Sequence, residues 1–123
     1  MEEQNKQNKQ KAIEIAVNYE KKQGRNPEQV NKIKKGYDIK SNERLIDVRF
    51  VPDDKINMQT IPLTFLKKIG KDIVNFYIYI IYNLNNKPKL KILNSDFILR
   101  NFNTYTNIFF NKSLLNKQKD EGL

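Results

Sequence analysis

The stretch FYIYIIY, residues 76–82, sets hard terms for any fold of this chain. Side chains alternate across a strand, so Phe76, Ile78, Ile80 and Tyr82 share one face and Tyr77, Tyr79 and Ile81 the other. Both rows are apolar or aromatic, the pattern of a central strand covered on both sides. Seven residues are far too few to span a bilayer. Tyr77, Tyr79 and Tyr82 have the chemistry of a base-stacking platform, but in a strand this apolar they read as core and rim.

A second strand is less uniform. In LIDVRFV, residues 45–51, Ile46, Val48 and Phe50 form one apolar row, while Leu45, Asp47, Arg49 and Val51 form the other. A carboxylate and a guanidinium in the middle of a strand must be paired, solvated or bound to something, because burying either charge alone is very costly. The preceding KKGYDIKSNE supplies a break at Gly36, a short strand and a polar turn, so residues 37–51 read as an antiparallel hairpin. Asp38 opens its first strand and Asp47 lies inside the second. Two carboxylates brought together across a hairpin suit Mg²⁺ or Mn²⁺.

Around these strands the pattern changes period. From Ala12, residues Ile13, Ala16, Val17 and Glu20 recur at helical spacing until Gly24, with Glu20 a carboxylate at the end of an apolar stripe. Taken alone, Glu20 reads as an ordinary boundary residue. GRNPEQV reads as a connecting turn, INMQT as a short strand, and PLTFLKKIG as a helix opened by Pro62 and closed by Gly70. In LKILN, Leu90 and Ile92 alternate with Lys89 and Lys91, as in a half-exposed strand. The segment from Ser95, with Phe97, Ile98, Phe102, Tyr105, Ile108 and Phe109 at near-helical spacing, reads as a helix with Ser95 as its cap. The fold class is therefore α/β or α+β: a mixed sheet flanked by helices. One domain over residues 12–115 is expected, with residues 1–11 a polar tail or helix extension and 116–123 a second tail.

Lys and Arg number 23 against 14 Asp and Glu, a net charge of +9 that favours a polyanionic partner, nucleic acid first, although the same excess also serves solubility. Cysteine and histidine are both absent, which removes the usual zinc sites, thiol nucleophiles and imidazole bases. No disulfide can form, which suits a reducing cytoplasm. Neither a bilayer-spanning run nor the apolar core of a signal peptide is present, so a cytoplasmic protein without a membrane partner is expected. Lys21, Lys22, Arg25, Lys32, Lys34, Lys35 and Lys40 crowd the stretch before the hairpin, as a phosphate track or as an ordinary solvated face.

These pieces have a counterpart. AIEIAVNYEKKQGRNPEQV, then KKGYDIKS, ERLIDVRF, IPLTFLKKIGKDIVNFYIYIIYNL and KPKLKIL, about residues 12–98, resemble in order and spacing the domain at the C-terminus of the plant protein NO VEIN. That domain also stands at the ends of many bacterial and archaeal helicases. The most specific pieces are YEKKQGR and GYDI. The resemblance implies a restriction-endonuclease-like fold, in which an acid on one strand and Glu-x-Lys on the next hold metal and water for phosphodiester cleavage. Carried over, Asp38 matches the first acid, Asp47 the second and Arg49 the lysine, while Glu20, or Glu14, matches an assisting acid on the first helix.

This chain departs from that pattern at the same place. The family's second strand reads Ile-Glu-Val-Lys-Gly, whereas here it reads IDVRF. Aspartate draws the carboxylate back by about an ångström relative to glutamate. Arginine stays protonated at any relevant pH, so Arg49 can clamp a phosphate but cannot serve as a base. Phe50 replaces the glycine, and Leu66 and Lys67 stand where an Asn-Glu pair is expected. The leading expectation is a nucleic-acid-binding module with a degenerate nuclease site, working on DNA without sequence preference. A helicase or another protein of a restriction or defence system is the implied partner. The alternatives are an active Mg²⁺-dependent endonuclease, with Asp38 and Asp47 as metal ligands, and a protein-interaction module indifferent to nucleic acid. No cofactor beyond that Mg²⁺ is implied.

Overall fold

A computed structural model describes residues 2–56, 59–101, 103–104, 107–110 and 112–123. The first helix, α1 (Glu2–Lys22), is followed by β1 (Pro27–Gln29), the single-turn helix α2 (Lys32–Lys35), and the hairpin of β2 (Ile39–Ser41) and β3 (Arg44–Val51). Then come β4 (Gln59–Pro62), α3 (Leu63–Ile69), a 3-10 helix over Gly70–Asn75, β5 (Phe76–Tyr82) and β6 (Lys89–Leu93). The chain continues through α4 (Ser95–Arg100), β7 (Asn103–Thr104), β8 (Asn107–Phe110) and α5 (Lys112–Asn116).

Five strands form one mixed sheet in the order β1-β2-β3-β5-β6. β3 pairs antiparallel with β2 and parallel with β5, placing Asp47 opposite Ile78 and Arg49 opposite Ile80. A parallel pair needs a long crossover, which residues 52–75 provide. β4, β8 and β7 make a separate three-stranded sheet.

As the twofold apolarity of residues 76–82 requires, both faces of the large sheet are covered. Ile46, Val48, Tyr79 and Ile81 pack under Ala12, Ile13, Ala16 and Tyr19 of α1. On the other face Leu45, Val51, Phe76, Ile78 and Ile80 meet Ile61, Ile69, Ile98 and Leu115 from β4, α3, α4 and α5. Tyr79 and Tyr82 are buried and Tyr77 partly so, core and rim residues of this sheet.

Several local expectations are corrected. GRNPEQV holds an edge strand, β1, beside β2. For residues 2–11, of the two readings, polar tail or helix extension, the second holds: they continue α1, where Glu2 and Glu3 suit the positive end of the helix dipole and Asn8 is buried. The strand expected at INMQT is displaced to Gln59–Pro62, with Asn57 and Met58 outside the described residues. The helix expected from Ser95 stops at Arg100, capped by Asn94 rather than Ser95. Beyond it Ile108 and Phe109 lie in β8, while Phe102 and Tyr105 fall outside the described residues. Asparagine, threonine and aromatic residues in NTYTNIFF suit strand and turn, and pairing with β4 overrides the near-helical spacing. Lys91, expected exposed, is buried with its ammonium 2.7 Å from Asp120. The tail expected over 116–123 is thereby fastened to the sheet, with Glu121 bridging to Leu90. Among the described residues no helix is long and apolar enough to cross a membrane.

Candidate functional site

Asp38 and Asp47 face each other by register, since Ile39 pairs with Ile46 and the Asp38 amide donates to the Ile46 carbonyl at 2.8 Å. β2 begins only at Ile39, so at Val48, two residues beyond Ile46, β3 keeps β5 on one edge but has no strand on the edge where β2 lay. Its backbone groups are satisfied by side chains instead. The Val48 N–H donates to Asp38 Oδ2 at 2.8 Å, and its carbonyl accepts from the Lys9 ammonium. Lys9 also donates to Asp38 Oδ2, at 3.0 Å, so the Asp38–Lys9 pair completes a ladder that the strands leave open.

Asp47 is enclosed more tightly. It is 1% exposed, and cations hold both of its oxygens. Lys32 Nζ lies 2.7 Å from Oδ1, and Arg49 reaches Oδ2 through Nε and Nη2, each at 2.9 Å. The Lys32 ammonium is also 3.9 Å from Asp38 Oδ2, so it sits between the two carboxylates.

Local chain chemistry delivers Lys32 there. Asn31 caps α2 by accepting from the Lys34 N–H at 3.2 Å, and Gly36 ends it in the left-handed region at φ +88°. The same turn is pressed against α3: a Cβ on Gly36 would lie 3.0 Å from the Phe65 carbonyl oxygen. Lys32 Nζ passes 5.5 Å from the Phe65 ring centroid on its way in.

The electrostatics follow from burial set against neighbours. Burial pushes the Asp38 carboxyl above the usual range despite Lys9 and Lys32, and the charge on Asp47 adds to the rise. Burial acts the same way on Asp47, but Arg49, Lys32 and Lys9 outweigh it and hold that carboxyl below the usual range. Lys9 is pushed down, mainly by its own burial.

The remaining expected site residues lie elsewhere or do other work. Glu20 does not join the two aspartates. It lies 11 positions after Lys9, about 16 Å further along the helix. There its carboxylate takes a two-pronged contact from Arg25, at 2.5 and 2.9 Å, and accepts from the Tyr79 hydroxyl at 2.6 Å. Burial alone would raise the Glu20 carboxyl; Arg25 and Tyr79 reverse this and hold it low. Glu14 is exposed. Of the basic cluster, Arg25 and Lys32 are committed to these ion pairs. Lys21, Lys22, Lys34, Lys35 and Lys40 are exposed and form no ion pair among the described residues. They are divided among the end of α1, α2 and β2.

Beside the aspartates opens a cleft of about 810 Å³ between the first half of α1, the β1–α2 connection and Phe50. Lys6 and Lys9 line it with Lys32 and Asp38. A family model described as Protein NO VEIN, C-terminal, matches residues 8–93, a stretch holding both aspartates and all three cations that pair with them. The chain belongs to that family. No curated protein and no solved structure matches it.

In this NO VEIN C-terminal domain the ions around Asp38 and Asp47 do not fit a resident Mg²⁺. Among the described residues no group of three or more acidic, histidine or cysteine side chains converges to hold a metal. Ammonium and guanidinium groups already meet the oxygens a divalent ion would need. Lys9 escaped the sequence reading because it stands in a polar run. Its signal was there: Asn8 and Lys9 precede Ala12 and Ile13 by four residues and so continue the stripe facing the sheet.

Proposed function

We propose that this domain is a nucleic-acid-binding module on a restriction-endonuclease-like scaffold, in which the carboxylate pair is closed by the chain's own cations and cleavage is lost. The observation that carries the reading is the Lys32 ammonium, 2.7 Å from Asp47 and 3.9 Å from Asp38, where a nuclease would need its metal. Arg49, clamped on Asp47, is likewise spoken for. The surplus positive charge remains free for phosphate. Lys34, Lys35 and Lys6 flank the site, and Lys21 and Lys22 add a second cationic end. A helicase supplied by a separate protein is the partner the resemblance suggests, since the basic surface could hold a strand that such an enzyme opens.

The test is fluorescence anisotropy with labelled DNA over a salt series. If three to five lysines engage phosphate, log Kd should rise with log salt at about 0.9 per contact on duplex and about 0.7 on single strands. No binding at low ionic strength would instead favour the interaction-module reading. The active-endonuclease reading keeps one argument, the convergence of Asp38 and Asp47 beside an open cleft. Metal-dependent cleavage by the unaltered protein, lost in Asp38→Ala, would establish it.

A further inference from the structure

We infer that the cleft beside Lys9 and Lys32 receives one unpaired nucleotide of a single strand, with the base against Phe50 and the phosphate on Lys6. This rests on the nucleic-acid reading above and names which form of nucleic acid the site takes. A volume of about 810 Å³ is ample for a nucleotide unit. Its lining is divided in a way that few other ligands would match. Lys9 and Lys32 stand there already paired with Asp38 and Asp47, while Lys6 has no carboxylate partner among the described residues and leaves its ammonium for an anion. Beneath them lie the partly buried ring of Phe50 and the side chain of Ile33, which is 76% exposed. A free phosphate ion would leave this apolar surface uncovered, and an apolar peptide would leave Lys6 unmatched. A nucleotide covers both, because a base stacks on an aromatic ring while its phosphate meets the Lys6 ammonium.

The polar wall points the same way. Gln10 of α1 and Gln29 of β1 close one side of the cleft through reciprocal amide hydrogen bonds of 3.3 Å, at the long end of the range. Each amide keeps a second N–H and a second lone pair, the donor and acceptor set that reads the edge of a base. A base within a duplex is stacked and paired and cannot reach Phe50. Only an unpaired one can.

The experiment uses the full chain and three labelled DNA probes: a single-stranded dodecamer, the same backbone with abasic sites throughout, and a blunt-ended duplex without a loop. Anisotropy at one salt concentration is expected to show the dodecamer bound about tenfold or more tightly than its abasic counterpart, the range of one stacked base. Phe50→Leu, which keeps apolar bulk but removes the ring, should erase that difference and leave abasic and duplex affinities unchanged. If this variant does not melt cooperatively, Gln29→Ala on the exposed wall takes its place, with a loss confined to the base-bearing strand expected. Equal affinity for the base-bearing and abasic strands in the unaltered protein would overturn the inference and leave phosphate binding standing. Binding to none of the three would remove the nucleic-acid reading itself.

Discussion

Asp38 and Lys9 divide between them the two backbone groups of Val48, and that duty makes both residues structural whatever else they do. Lys9→Met should therefore lower stability by about 1–3 kcal/mol, the cost of leaving a buried carbonyl without a donor, as read by urea denaturation. Asp47 carries a larger share. Asp47→Asn leaves Arg49 without a counter-charge and Lys32 with only the more distant Asp38, and a loss of about 3 kcal/mol is expected, at the low end for a broken buried pair because both cations can turn toward solvent. The pH dependence has a definite sign. Asp47 and Glu20 are held below their ordinary values, so their ionised forms favour the fold above about pH 4 and that contribution disappears as pH falls through their folded values. Asp38, held high, acts in reverse: its ionisation weakens the fold as pH rises through the range just above pH 4. Denaturation midpoints from pH 2.5 to 7 should show the acid limb shrink in Asp47→Asn. The strand parity of Asp47 and Arg49 was legible in the sequence, and their pairing with each other was one of the outcomes it allowed. Lys32 as bridge was not, because its place depends on how a one-turn helix is seated.

That seating is an element-scale property. Helix α2 has four residues and none of them buried, so it cannot hold its position by core packing. Its caps and the contact of Gly36 with Phe65 position it instead. Gly36→Ala imposes both a left-handed backbone on a residue with a side chain and a 3.0 Å clash with a carbonyl oxygen. A loss of at least about 1–2 kcal/mol in urea denaturation is expected. Gly36 was readable as a break, but its closeness to α3 joins segments about thirty residues apart and is invisible to local pattern. The same division runs through the rest of the fold. Residues 76–82 announced an interior strand because both their faces are apolar, and Leu45–Val51 announced a second strand, whose parallel pairing with the first came only with the structure. β1 and β8 exist through pairing with distant strands, so local spacing mistook one for a turn and the other for helix. Lys91 alternates as an exposed residue does, and Asp120 and the Gln118 carbonyl, both from the far end of the chain, explain its burial.

At the scale of the molecule, a charge of +9 sets a field that attracts phosphate, while the two aspartates at its centre are already neutralised by the chain's own cations. Composition announced the first of these facts; the second needed α1, α2 and β3 assembled around one cleft. The proposed binding without cleavage rests on both together. The most direct measurement of that claim is the melting temperature of the unaltered protein during titration with Mg²⁺ and Mn²⁺, since an ion held only by the folded state must raise it by mass action. No saturable rise is expected up to about 10 mM, and Lys32→Met, by vacating the place between Asp47 and Asp38, is expected to allow one to appear. A saturable rise in the unaltered protein, abolished by Asp47→Asn, would contradict it.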